Sequence, residues 1–183
     1  RRRLPSRTSN DAVRRGDNVR GKWAAGIEPR NFTWIFQGQL AAADRPGGAT
    51  RVHRQVRREE ELRWLKNQKF TRGISLFALP LSNRAYDDHG MTTGIYPITN
   101  DADQSELMTA FFTDIRDSVN RGEIVLLHAD EVSDRLLGLV AGYLIWSGRA
   151  QSDAIALAAV ERLFRRSISI EGRNILKTLP ERS

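Results

Sequence analysis

Cysteine is absent from the 183 residues, histidine occurs three times and proline six times. Without thiols there is no disulfide, no thiolate metal site and no cysteine nucleophile. His53, His89 and His128 fall at no metal-ligand spacing, so neither a metal nor a cofactor is expected. No G-x-S-x-G turn, Walker loop or G-x-G-x-x-G occurs, which removes the usual serine-hydrolase and nucleotide-binding signatures. Long hydrophobic runs are missing as well. The longest, Leu136 to Trp146, is far shorter than the ~20 residues a membrane-spanning helix needs. A starting methionine is also missing, as in a fragment cut from a longer chain.

Basic charge is plentiful but uneven. Arg1, Arg2, Arg3, Arg7, Arg14, Arg15, Arg20, Lys22 and Arg30 face only Asp11, Asp17 and Glu28 in residues 1–30, which therefore carry +6 of the net +7. This segment has no apolar periodicity and is expected to be a flexible basic leader, residues 31–183 forming the domain. A polyarginine segment suits anionic lipid or nucleic acid as a partner. A second acid-free run, Arg45, Arg51, Arg54, Arg57 and Arg58, reads as a solvated loop and helix start. With 40% hydrophobic and 28% charged residues, the length supports one core.

Along that domain, strands and helices alternate. Trp34–Phe36 reads as a short strand, followed by a tight turn and a second strand closed by Pro46-Gly47-Gly48. Arg58–Phe70 has Leu62 and Leu65 on one stripe with acids at its start and lysines near its end, as the helix dipole prefers. Strands follow in Gly73–Pro80 and Gly94–Thr99, with Ala85–Gly90 read as a loop between them. Leu107, Phe111, Ile115 and Val119 define the stripe of the next helix. A strand at Ile124–Leu127 then precedes helices at Asp134–Ser147, at Ser152–Arg165 and from Glu171. The alternation predicts an α/β layered fold with a largely parallel central sheet and helices on both faces.

The stretch EIVLLHADEVSDRLLGLVAGYLI, Glu123 to Ile145, carries the candidate site. It runs from an apolar strand through polar residues into an apolar helix, the layout that aims backbone N–H groups and a helix dipole at an anion. Its side chains argue otherwise. Asp130, Glu131 and Asp134 face a single Arg135, and Ser133 sits where a helix N-cap belongs. A phosphate dianion a few Å from such carboxylates meets several kcal/mol of repulsion at an effective dielectric constant of ~20.

The series W-x5-LAAADRP, EELRWLKNQKFTRGISL, YPITNDADQSELMTAFFTDI and IVLLHADEVSDRLLGLVAGYLI resembles the dual-specificity branch of the protein tyrosine phosphatase superfamily, over residues from about 32 to 176. The resemblance implies that His128 and Arg135 flank the phosphate loop and that Ala129 occupies the position of the nucleophilic cysteine. It matches Val132 to a loop glycine, where a β-branched side chain is expected to fill the cradle. It matches Leu136 to the hydroxyl residue after the arginine, and Asn100, or the displaced Asp101 or Asp103, to the general acid. A methyl group cannot attack phosphorus.

These departures point to a pseudophosphatase that acts as a protein-binding scaffold or regulator, with Arg135 kept as an anion contact only if a phospho-ligand is read. Two alternatives stay open on the sequence. One is an active phosphatase whose cysteine was replaced by Ala129 as a trap. The other is a basic module that binds nucleic acid or anionic lipid through residues 1–30.

Overall fold

The computed structural model describes residues 25–48, 55–76, 83–99 and 103–181. Asn100, Asp101, Arg51, Arg54, His53 and residues 1–24 lie outside them. The chain runs β1 (Thr33–Phe36), β2 (Leu40–Asp44), α1 (Gln55–Asn67), β3 (Arg72–Ser75), α2 (Asn83–Asp88), β4 (Thr92–Ile95) and α3 (Ser105–Asn120). It continues through β5 (Val125–Ala129), α4 (Asp134–Trp146), α5 (Asp153–Phe164) and α6 (Ile170–Ile175). The five strands form one sheet in the order β1-β2-β5-β3-β4. Among the described residues only β1 and β2 pair antiparallel; β2-β5, β5-β3 and β3-β4 are parallel. The sheet is therefore mixed but largely parallel, as the alternation of elements predicts.

Strand alternation explains why helices cover both faces. Successive side chains of a strand point to opposite sides, so a central strand must be apolar at every position. In β5, Val125 and Leu127 enter one core while Leu126 enters the other. In β2, Leu40 and Ala42 divide from Ala41 and Ala43 in the same way. The larger core takes α3, α4, α5 and α6; the smaller takes Leu62 and Leu65 of α1 with Ala85 and Tyr86 of α2. The β1–β2 turn closes with Gln39 N–H donating to Phe36 O at 3.0 Å, and Gly38 supplies the positive φ of 72° that the turn demands.

Two expectations are corrected here. Ala85–Gly90 is a turn only at its end: Ala85–Asp88 belong to the helix α2, with Ala85 and Tyr86 turned inward, and the His89 ring in the turn that follows lies 2.8 Å from Ala85 O. The described part of the arginine run, Arg45, Arg57 and Arg58, is not freely solvated. Arg45 is 5% exposed, and Arg57 donates to the buried carboxylate of Glu61, which also accepts Gly47 N–H. Residues 25–30 join the folded unit, because Ile27 N–H donates to Glu60 O and Asp44 N–H to Arg30 O. Among the described residues no helix is long and apolar enough to cross a membrane.

Candidate functional site

The site sits where β5 ends and α4 begins, at the carboxyl end of a central strand, the usual position of clefts in parallel sheets. His128 forms its floor. The ring is 4% exposed, and its Nε2 lies 3.1 Å from Tyr86 Oη with the two rings stacked. Burial, aided by the nearby Arg45 charge, lowers its pKa from 6.5 to about 3, so the imidazole is neutral at physiological pH. The same burial pushes the Tyr86 phenol up. One residue on, Ala129 O accepts Arg45 N–H at 2.8 Å, which ties the loop to the end of β2.

The loop amide and carbonyl at Val132 are both committed to protein groups. Val132 N–H donates to Asp44 Oδ1 at 2.8 Å, and its carbonyl accepts from Arg166 Nη1 at 2.8 Å. Its side chain, 7% exposed, packs into the larger core. Val132 therefore does not fill the cradle as expected, because the backbone turns its branch inward, away from the opening. A cleft of about 250 Å³ remains, walled by Leu76, Ala129, Asp130, Glu131, Ser133 and Arg135.

Ser133 caps α4, its hydroxyl accepting Leu136 N–H at 3.4 Å. Asp134, in the first turn, is held by Arg166 Nη2 at 2.6 Å and Ser169 N–H at 3.1 Å. Hydrogen bonding from Ser169, with help from Arg166, keeps its carboxyl below the ordinary value. Arg135 turns to α6: Nη2 lies 3.0 Å from Glu171 Oε1, while its buried Nε has no hydrogen-bond partner among the described residues. Asp130 reaches Arg45 Nη1 at 3.5 Å, and Glu131 is exposed. The close approach of α6 that delivers Glu171 is allowed by glycine on both helices. A Cβ on Gly138 would strike the Gly172 carbonyl, and one on Gly172 would strike Asp134 O.

His128, Ala129, Asp130, Glu131, Val132, Ser133, Asp134 and Arg135 thus form one continuous feature. Asp103 lies apart from it at the start of α3, its Oδ1 accepting Ser105 N–H. Among the described residues no three potential metal ligands converge. Sequence reasoning missed Asp44, Tyr86, Arg166 and Glu171. All four come from distant parts of the chain, and only the Asp44-Arg45-Pro46 punctuation after β2 hinted at a special loop there.

No family model matches the chain, and no curated protein matches it in sequence. Solved structures do match in shape. Tk-PTP in its active form superposes with a TM-score of 0.64 at 23% identity, over 84% of this chain and 98% of that one. Kinase associated phosphatase, with its catalytic cysteine substituted by serine, gives 0.67 at 16% identity, over 81% and 92%. Human tyrosine phosphatase-like serine/threonine/tyrosine-interacting protein gives 0.56 at 16% identity, over 80% and 93%. The fold is that of the dual-specificity and tyrosine phosphatase-like domains.

Proposed function

We propose that this domain is a catalytically inactive phosphatase-like module that works by binding a protein partner. The observation that carries the reading is the residue at the head of the loop. Ala129 ends β5 beside the buried His128, at the position to which the resemblance assigns the nucleophilic cysteine, and a methyl group offers no lone pair for attack on phosphorus. The rest of the loop supports it. Asp44 takes the Val132 amide and Glu171 takes the Arg135 guanidinium, so two carboxylates of the chain hold groups that a phosphate would otherwise recruit. Asp130 and Glu131 add negative charge at the mouth of the cleft.

Hydrolysis of a chromogenic aryl phosphate tests this reading. The parent protein shows no turnover above buffer, and neither does Ala129→Cys, because Leu136, Asp44 and the mouth carboxylates are unchanged. Robust turnover by that single variant overturns the reading and favours an active enzyme that carries a trapping substitution.

A further inference from the structure

Behind the Arg135–Glu171 pair lies a second hollow that the loop does not use. Arg135 walls the cleft at the loop, and its partner Glu171 walls a pocket of about 170 Å³ bounded by Ile98 and Thr99 beyond β4, by α3 and by α6. The two cavities therefore adjoin across one ion pair. Ile98, Met108 and Ile175, none more than 6% exposed, form the back of the pocket, and Thr99, Glu171, Asn174 and Thr178 form its rim.

Most polar atoms of the rim are already engaged within the chain. Thr99 N–H donates to Gln104 Oε1 at 2.6 Å, and Thr99 Oγ1 accepts from Gln104 Nε2 at 3.2 Å. Thr178 Oγ1 donates to Ile175 O at 3.0 Å, Asn174 Oδ1 accepts from Lys177 Nζ at 2.9 Å, and Glu171 Oε1 accepts from Arg135. A charged guest would lose water here and gain little in exchange, whereas an apolar one covers the buried back wall. The volume is below the ~300 Å³ at which small-molecule sites begin, so it suits a single side chain. On the cleft side the exposed charge is acidic. Asp130 is 47% exposed and Glu131 is exposed, while Arg135 faces Glu171 and Arg45 is buried beneath the loop.

From these two cavities we infer that the α3–α6 pocket holds one apolar side chain, of leucine or methionine size, from a protein partner whose adjoining residue places a cation against Asp130 and Glu131. The partner crosses the Arg135–Glu171 pair without breaking it. A buried apolar anchor then supplies the grip, and the charges at the cleft mouth choose the partner. This rests on the binding-module reading and adds where the partner is held and by what chemistry.

The two methionines of the chain provide the test with its own control. Met108 lines the pocket, while Met91 sits in the smaller core on the other face of the sheet. In the full chain carrying isotope-labelled methionine methyls, acetyl-lysyl-glycyl-leucine amide at millimolar concentration is expected to move the Met108 NMR signal saturably and to leave Met91 in place. Replacing the leucine of the peptide by glycine abolishes the shift, and replacing its lysine by glutamate weakens binding about tenfold. Thr178→Trp fills the pocket from the rim and abolishes the shift, and Glu131→Lys weakens it about tenfold. Both residues are exposed, so these variants keep the parental melting temperature. A Met108 signal that stays still, that moves with the glycine peptide, or that moves together with Met91 overturns the proposal. So does a pocket filled by a second copy, seen as a Met108 signal that changes with protein concentration alone. Hydrolysis reads the loop separately, so its inactivity stands or falls on its own.

Discussion

The body of α4 and the loop that leads into it follow different physics within a dozen residues. From Leu136 to Leu144 the helix is buried at every position and is held by apolar contact, with Gly138 pressed against α6. From Ala129 to Arg135 the chain is, apart from the buried Val132, mostly polar and partly exposed, and is held by ion pairs and single hydrogen bonds to Asp44, Arg166, Ser169 and Glu171. Close packing resists volume change, whereas partly exposed ion pairs contribute little each. Charge can therefore be rewritten in the loop while the helix behind it keeps the fold.

The sharpest contrast comes from Gly138→Val. Its side chain would be driven into the α6 backbone, and overpacking there costs about 3 kcal/mol or more. Urea unfolding should show the loss as a lower midpoint with little change in slope.

Acidification probes the buried ring beneath the loop. His128 is neutral in the fold with a pKa near 3, but the unfolded chain has the ordinary 6.5 and takes up a proton that the fold refuses. Its contribution is therefore complete above about pH 7 and is lost as pH falls, amounting to about 2 kcal/mol by pH 5. His128→Leu should flatten this limb of the stability profile. An unchanged limb would place the ring in contact with water.

Tyr86→Phe removes the hydroxyl that faces His128 Nε2 and should cost about 1–2 kcal/mol, read by thermal unfolding. Losses at the loop surface should be smaller. Arg135→Ala breaks a pair whose arginine is 35% exposed, so about 0.5–1 kcal/mol, or a few degrees in melting temperature, is expected. Loss as large as that of Gly138→Val would erase the distinction between the two regions.

This division also explains what the sequence discloses. Apolar runs such as Val125–Leu127 and Leu136–Trp146 report burial directly, so most of the order of elements and the largely parallel sheet could be read from them. The partners of the loop could not. Asp44 lies 88 residues before Val132 and Glu171 lies 36 after Arg135, and nothing local marks either as a ligand. Arg45 looked solvated because arginine usually is, yet it ends under the loop, paired to Asp130. Ala85–Gly90 looked like a loop because its two acids and a glycine obscured the inward pair Ala85 and Tyr86.

The central claim is that carboxylates of the chain have taken the place of phosphate at the loop. Thermal unfolding of the parent protein with and without millimolar inorganic phosphate, at constant ionic strength, tests it most directly. A ligand that binds only the folded state must raise the melting temperature. No shift is predicted, since Glu171 holds Arg135 and Asp44 holds the Val132 amide; a rise of several degrees that disappears in Arg135→Ala would contradict the claim and show a working phosphate site.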